Sequence, residues 1–397
     1  MVDGIKNNDL EIEELGDELD VVELGDFGDV DLSCDLPHYM FPTSELKDFL
    51  KVARNISKAD GRDIISKSIC LSRDGDELVL RSTDFDVYFE YRVELLNSTD
   101  VLNEDIILPI DIVLKLIKAT PANTVIFKEG DSYYLKLFGG DMPVETYTVD
   151  VNKFVFDSEV ELNTTISAPD LYSVIKGFGD IVTSAVSPME RRIICDKENA
   201  YASYMWVTIK AESPFANMDI KIKDIKVLRN LLSGVTDDLE VYSSIKTKIP
   251  RKVLKTDKFI YAFLISTLQV PESVKTNLDK VLLPDGIYVN FTELYKMVEL
   301  ASELPYATGK VLINYTDRGS LKLIIKTKSE KQSVFNIGGV ISGEIKPLRK
   351  DLVLQAKLFK VLLKSFSDNS SIKLSLSKAG IGLFTDQFKA SIYPESS

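Results

Sequence analysis

Six segments of the chain share one helical design and recur at a nearly constant spacing. In each, apolar residues return every three or four positions, which is the period of an amphipathic helix. Strand-like runs, rich in β-branched and aromatic residues, fill the intervals between them. Such a repeat constrains the architecture more than any single motif does. The six helices are expected to begin near Ser44, Asp111, Pro169, Asp224, Phe291 and Gln355, at intervals of 55 to 67 residues.

This alternation predicts an α+β fold in which helices pack on one face of antiparallel β-sheets. Two halves, each a helix followed by a strand meander, make one domain. We expect an acidic disordered tail at residues 1–37 and three domains at residues 38–158, 159–283 and 284–397. Asp111 and Asp224 are expected to cap the helices that they open, and Pro169 to occupy a first helical position.

Most of these helices also carry a basic stripe beside the apolar face. In the first helix, Leu46, Phe49, Leu50, Ala53 and Ile56 lie on one face. Four of the six helices carry two or more outward bases, whereas the other two carry only Lys176 and Lys296. The candidate anion-binding bases are Lys47, Lys51, Arg54, Lys58, Lys115, Lys118, Lys226, Arg229, Lys357, Lys360 and Lys364.

The basic stripes have two explanations. For any one helix, a row of lysines is the ordinary solvated face of a surface helix. Recurrence of the stripes instead favours a shared surface, because equivalent helices turn the same way in a repeat. Such a surface attracts a phosphate backbone without reading sequence. Aromatic residues are not interleaved with the bases, which argues against stacking on single strands.

The net charge of −13 belongs mainly to the first residues of the chain. Residues 1–35 hold 13 acids and one base, Lys6, so the remainder of the chain is close to neutral. Acids alternate there with Leu, Val and Ile, and such a segment cannot bury enough apolar surface to offset its chain entropy. Two roles stay open for it: an anionic segment that screens a basic surface, or a solubilising extension.

The sequence lacks the residue sets of common catalytic and metal sites. There is one histidine, His38, and no HExxH or CxxC motif. Gly139-Gly140 and Gly338-Gly339 are interpreted as turns and not as phosphate-binding loops. We therefore expect no enzymatic activity, no cofactor and no metal.

Targeting signals are absent too. Three cysteines without pairing or metal-like spacing indicate a reducing compartment. The sequence shows neither a basic leader nor a run of roughly 18 apolar residues. A cytoplasmic protein that does not enter a membrane is the expectation.

Several segments carry a family resemblance. Residues 77–87, Glu-Leu-Val-Leu-Arg-Ser-Thr-Asp-Phe-Asp-Val, combine a strand, a Ser-Thr-Asp turn, an apolar residue and the next strand. Residues 106–109, Ile-Ile-Leu-Pro, precede an amphipathic helix. Leu268-Gln269-Val270-Pro271 and the ending Ser391-Ile392-Tyr393-Pro394 supply two apolar-Pro segments. In this order and spacing, the chain resembles the three-domain bacterial β sliding clamp of DNA polymerase.

The resemblance implies both assembly and function. It implies a head-to-tail homodimer whose six domains form a ring around duplex DNA, with an edge strand of the first domain paired to one of the third. Its implied partners are non-specific double-stranded DNA, a DNA polymerase and a clamp loader. Polymerase would dock between the second and third domains, on a groove lined by Tyr204, Met205, Trp206, Pro271, Tyr393 and Pro394.

The sequence departs from the family pattern at that groove. Ala202-Ser203-Tyr204-Met205-Trp206 stands where the family has Thr-Asp-Gly-His-Arg, and the last residues are Pro394-Glu395-Ser396-Ser397 in place of Pro-Met-Arg-Leu. A divergent, phage-encoded clamp would account for both changes and for the acidic segment. Ordinary core packing is the competing explanation for the Tyr-Met-Trp run, and strand termination is the competing explanation for the two prolines.

Two other functional classes remain open from the sequence. The first is a scaffold that recruits replication or transcription proteins without encircling DNA, and the mass of the assembly and loading onto circular DNA would distinguish it. The second is a carrier of lipid or another ligand, which requires a large closed apolar cavity. The basic helix faces argue against the carrier.

Overall fold

The helices match the predicted repeat and add one more. The structure is a computed structural model that describes residues 34–57, 63–156, 159–187, 190–213, 218–244, 250–266 and 268–394. The tail up to Ser33 and Lys58 lie outside the described residues.

The helices are α1 (Thr43–Ile56), α2 (Ile110–Leu116), α3 (Ala168–Ser184), α4 (Ile222–Leu231), α5 (Glu272–Val281), α6 (Phe291–Glu303) and α7 (Ala356–Lys364). Six confirm the predicted starts to within two residues, and α5 was not predicted. No helix in these ranges is long and apolar enough to cross a membrane.

Two of the predicted helix caps are wrong. α2 and α4 follow directly on strands, and neither Pro109 nor Lys221 at the cap position gives a side-chain hydrogen bond. Asp224 lies within the first turn of α4, and the Tyr261 hydroxyl donates to it at 2.9 Å. Burial raises the pKa of Asp224 to about 6. Pro169 does occupy the first turn of α3, as predicted.

A meander of three strands follows each helix of the predicted repeat. The strands are β1 (His38–Pro42), β2 (Ser68–Asp74), β3 (Glu77–Thr83), β4 (Tyr88–Glu94), β5 (Ile106–Pro109), β6 (Asn123–Glu129), β7 (Ser132–Leu137), β8 (Gly140–Val144), β9 (Val160–Ser167), β10 (Arg192–Cys195), β11 (Asn199–Tyr204), β12 (Val207–Glu212), β13 (Met218–Lys221), β14 (Asp238–Ser244), β15 (Arg251–Lys255), β16 (Phe259–Leu264), β17 (Gly286–Asn290), β18 (Ala307–Tyr315), β19 (Leu321–Thr327), β20 (Gln332–Ile337), β21 (Gly339–Ser342), β22 (Leu352–Gln355), β23 (Ser371–Ser377), β24 (Gly380–Phe384) and β25 (Phe388–Ile392).

Each repeat is one strand, one helix and a three-strand meander, and consecutive repeats exchange their first strands. Thus β5 joins β2-β3-β4, while β1 joins β6-β7-β8. The same exchange links β13 with β10-β11-β12 and β9 with β14-β15-β16, and it recurs in the last two repeats. One repeat therefore cannot complete a sheet without its neighbour, which is why repeats form pairs.

The pairs join one another through the last strands of their meanders. β4 pairs antiparallel with β16, with Phe89 opposite Tyr261. β12 pairs antiparallel with β25, with Val207 opposite Ile392. Each joint merges two four-stranded sheets. The β4–β16 joint makes an eight-stranded sheet, and the β12–β25 joint, with β21 added, makes a nine-stranded sheet. The last strands of the second and fifth repeats, β8 and β20, remain at the ends of four-stranded sheets.

The six predicted helices form one continuous layer on a single face of these sheets. Helix contacts run from α2 to α1, α4, α3, α7 and finally α6. We call this array the helix layer. The unpredicted α5 lies on the opposite face, where Ser375 donates to the carbonyl of Val281 at 2.6 Å. Ser375 faces away from its neighbours Leu374 and Leu376, whose side chains belong to the core.

Phe388 of β25 is the centre of the joint between the second and third pairs of repeats. Its ring meets Phe178 of α3 and Phe366 edge to face, with centroids 6.0 and 6.1 Å away. Gly177 allows α3 to approach, because a Cβ there would lie 2.4 Å from Cζ of Phe388. Absence of a side chain at Gly177 is therefore a packing requirement.

Gly177→Ala should destabilise the protein by about 1–2 kcal/mol, because overpacking outweighs the gain in helix propensity. Gly179→Ala in the same helix is the matched control. A Cβ at Gly179 would have Arg229 as its nearest neighbour at 3.7 Å, an ordinary contact. That variant should be neutral or more stable by up to about 1 kcal/mol. Urea unfolding measures both, and equal behaviour of the two variants would contradict the packing argument.

Candidate nucleic-acid interface and docking site

The helix layer presents basic side chains on its surface remote from the sheets. α1 shows why, since Leu46, Phe49, Leu50 and Ala53 are buried against the sheet side. Polar positions of the same helix must then face away. Eight of the predicted bases are exposed there, on α1, α2, α4 and α7 or on the short 3-10 turn that continues α2: Lys51, Arg54, Lys115, Lys118, Lys226, Arg229, Lys357 and Lys364. Lys47 is half-buried at the same surface.

Some of these bases are neutralised within the layer. Lys51 pairs with Asp48 at 2.8 Å and Arg229 pairs with Asp180 at 3.7 Å. Lys360 differs from the prediction of a free outward base, because its side chain is only 18% exposed. It donates to Glu303 and, at 3.0 Å, to Glu299, and these carboxylates raise its pKa.

The other predicted bases keep their charge available. Within the described ranges, no ion pair engages Lys47, Arg54, Lys115, Lys118, Lys226, Lys357 or Lys364. The acids Glu45, Asp111, Asp170 and Glu293 lie in the first turns, at the helix ends. The acids farther along the helices are Asp48, Asp180, Glu299 and Glu303, and each of them forms one of the ion pairs described above. A surplus of positive charge therefore lies across the body of the layer.

The proposed docking residues surround the hairpin between β11 and β12. Met205 and Trp206 form its two-residue turn, 55% and 44% exposed, so they are not core residues. Met205 has a left-handed φ of 50° and its N–H donates to Glu190 Oε1 at 3.1 Å. Tyr204 is half-buried at the end of β11. The hairpin thus holds two large apolar side chains in solvent.

The chain end lies against this hairpin. The N–H of Tyr393 donates to the carbonyl of Trp206 at 2.9 Å, which extends the β12–β25 pairing. Burial raises the pKa of the Tyr393 hydroxyl, and Pro394 follows it, half-buried. The structure therefore brings Trp206 and Tyr393 together.

Pro271 is exposed in the connection into α5. It directly precedes that helix, whose Lys275 pairs with Asp196 at 2.7 Å. Lys275 also lies over the Tyr201 ring of β11, with Nζ 5.8 Å from the centroid. Helix α5, which follows Pro271, therefore contacts β11 and the turn before it through Lys275.

Two exposed strand edges form a further candidate surface that the sequence did not locate. β8 pairs only with β7, and β20 pairs only with β19. Met142 on β8 is 43% exposed and Val334 on β20 is 54% exposed. Soluble proteins usually protect edge strands with charge or proline, and apolar edges invite another strand. Hydrophobic alternation cannot reveal which strand of a meander lies at an edge, so no sequence signal located these residues.

Metal chemistry has no visible basis in the described part of the chain. No group of three or more His, Cys, Asp or Glu side chains there could hold a metal ion. Cys70 and Cys195 are buried, and burial raises the pKa of both thiols. Raised thiol pKa values make these cysteines poor nucleophiles at neutral pH.

Comparison with known proteins identifies the fold. No family model matches the sequence, and no curated protein matches it either. Solved structures do match. The DNA polymerase sliding clamp of Bacillus subtilis and the DNA polymerase III beta subunit of Thermotoga maritima each superpose with a TM-score of 0.72 at 14% identity, covering 91% of this chain and 99% of theirs. The beta subunit of Pseudomonas aeruginosa gives 0.69 at 14% identity, over 91% of this chain and all of its own. The chain therefore has the fold of the bacterial sliding clamps.

Proposed function

We propose that two copies of this chain close head to tail into a ring around duplex DNA and tether a polymerase to it. The continuous six-helix layer carries this proposal, because its unpaired bases share the surface opposite the sheets. A ring that encloses DNA holds it topologically, so each phosphate contact can be weak and sliding stays fast. A clamp loader would then be needed to open the ring, and no catalytic step belongs to the protein itself.

The free edge strands support closure by a second copy. Within the chain, meanders join through their last strands, β4 with β16 and β12 with β25. The same rule applied between copies would pair β8 with β20 of the partner twice, so that neither of these two strands keeps a free edge in the dimer. Each protomer would contribute the domains expected at residues 38–158, 159–283 and 284–397.

Charge favours the same arrangement. Residues 38–158 hold 14 bases and 21 acids, a net of −7, whereas residues 284–397 hold 16 bases and 11 acids, a net of +5. A head-to-tail dimer brings the acidic end of one copy to the basic end of the other. Such complementarity speeds association and disfavours the head-to-head alternative.

The edge strands give the first test of closure. Val334→Lys places a charge at the β20 edge and should convert a dimer into a monomer, because lysine blocks strand pairing at an edge. Val340→Lys is the control. Val340 is 71% exposed on β21, which is also an edge strand but is not the last strand of a meander, so it takes no part in the proposed closure. Sedimentation at micromolar concentration measures the mass. A wild-type monomer, or equal effects of both substitutions, would contradict the proposed closure.

The helix layer gives the second test. Combined Lys115→Glu, Lys226→Glu and Lys364→Glu should shorten retention on closed circular DNA. The slope of log affinity against log salt should become shallower by about 0.9 for each phosphate that the variant no longer neutralises. Lys197→Glu, Lys255→Glu and Lys378→Glu together change the net charge equally at exposed positions off the helix layer. Linearising the DNA should release the wild type, and retention on linear DNA would instead indicate the scaffold.

The hairpin gives the third test. Trp206→Ala should weaken binding of a polymerase-derived peptide by about 2 kcal/mol, or roughly 30-fold, as expected for a central aromatic anchor. Deleting residues 393–397 should abolish polymerase stimulation while the ring stays dimeric. Phe85→Ala is the control, because Phe85 is 47% exposed on the equivalent hairpin of the first repeat. Full stimulation by the Trp206→Ala and deletion variants would place the docking site elsewhere.

A further inference from the structure

The acidic segment before Cys34 and the helix layer have opposite charge. Residues 1–33 contain 12 acids and one base. The helix layer holds seven bases that make no ion pair in the described part of the chain, Lys47, Arg54, Lys115, Lys118, Lys226, Lys357 and Lys364. We propose that residues 1–33 bind the helix layer of the empty ring and are displaced when duplex DNA enters. This inference rests on the proposed function, because it takes the helix layer as the DNA-binding surface.

The point of attachment places the segment close to its target. The chain enters the described residues at Cys34 and begins β1 at His38. β1 ends at Pro42, and α1 follows directly at Thr43. Nine residues, 34–42, separate the segment from Thr43, so the attachment lies at most about 32 Å from the start of α1.

Length and tethering make weak contacts sufficient. Thirty-three residues span up to roughly 110 Å when extended, enough to follow several helices of the layer. Covalent attachment gives a local concentration on the order of millimolar. Contacts that would be too weak between separate molecules at physiological salt therefore suffice to keep the surface occupied, and low salt should strengthen them enough for a free peptide to bind measurably.

Charge density explains why DNA would displace the segment. Its acids are spaced by about 9 Å if the segment is extended, whereas duplex DNA carries one charge per about 1.7 Å. DNA also gains free energy by releasing condensed counterions, which a sparsely charged peptide lacks. The segment is therefore a weak competitor for the basic surface. It excludes sparsely charged anions from that surface but is displaced by duplex DNA.

A direct binding experiment tests the inference without DNA. A fluorescent peptide of residues 1–35 is titrated with full-length protein whose own acids in residues 1–33 are changed to Asn and Gln. We expect binding at about 20 mM salt that is lost at about 300 mM, where the Debye length falls below about 6 Å. Adding duplex DNA should displace the peptide.

The matched lysine variants locate the peptide. Lys115→Glu, Lys226→Glu and Lys364→Glu together should weaken peptide binding about tenfold or more, while the Lys197, Lys255 and Lys378 set should leave it unchanged. In the otherwise unaltered chain, neutralising the acids of residues 1–33 should tighten DNA binding about tenfold at low salt. That gain should vanish when the three helix-layer substitutions are also present.

The possible results separate this inference from the proposed function. Failure of the peptide to bind at low salt, or equal binding to both lysine variants, overturns the inference and leaves the ring untouched. Peptide binding at the helix layer without retention of circular DNA supports the segment's target but rejects the clamp function. The inference and the clamp function are both supported if duplex DNA displaces the peptide and if the helix-layer variant loses peptide binding as well as retention on circular DNA.

Discussion

An exposed β-strand edge is the constraint on which the rest of this structure depends. Its unpaired N–H and C=O groups require a partner strand, water or protection. Inside the chain the requirement is met the same way twice, by antiparallel pairing of β4 with β16 and of β12 with β25. Because both joints pair the last strands of two meanders, the six helices of the layer stay on one face of the sheets. β8 and β20, each paired on one side only, occupy the same position in their repeats as the joined strands. A second copy, as proposed above, would extend the arrangement without a new kind of contact.

The joints also determine where charge can accumulate. Helices pack their apolar faces on the sheets and touch neighbours at their sides, so bases near the middle of each helix can only face away. At the joint of the first two pairs of repeats, Lys223 of α4 pairs with Asp84, whose side chain is fully buried. Arg251 adds a bond from Nη2 to the carbonyl of Phe85 at 2.5 Å. These interactions fix two pairs of repeats relative to each other, and a fixed helix layer keeps its bases on one surface.

The sequence predicts repeats better than it predicts connections. Helical periodicity located the six helices of the layer, because Leu46, Phe49 and Leu50, for example, are spaced by one turn. The order of strands in a sheet is harder to predict. Consecutive strands show the same hydrophobic alternation whether or not repeats exchange their first strands, so neither the exchange nor the free edges β8 and β20 could be predicted. Asp224 looked like a cap because acids favour helix starts, but its carboxylate faces Tyr261 in the core. α5 could have been predicted, because Val274, Leu278 and Val281 return at helical spacing after Pro271. Of the candidate site, residue type indicated the basic stripes, but only coordinates separate Lys357, which stays free, from Lys360, which two glutamates hold.

The two equivalent hairpins explain why the departures from the clamp pattern fall where they do. In the first hairpin, residues 84–87 form the turn, and Asp84 Oδ1 accepts the N–H of Val87 at 2.9 Å while its other oxygen binds Lys223. The turn therefore holds the joint together, and a Thr-Asp pair there is a structural requirement. In the second hairpin the turn has only Met205 and Trp206, and the chain end is held through a backbone bond between Tyr393 and the Trp206 carbonyl. Backbone bonds do not depend on side-chain identity. Side chains at this turn are therefore free to change without loosening the fold.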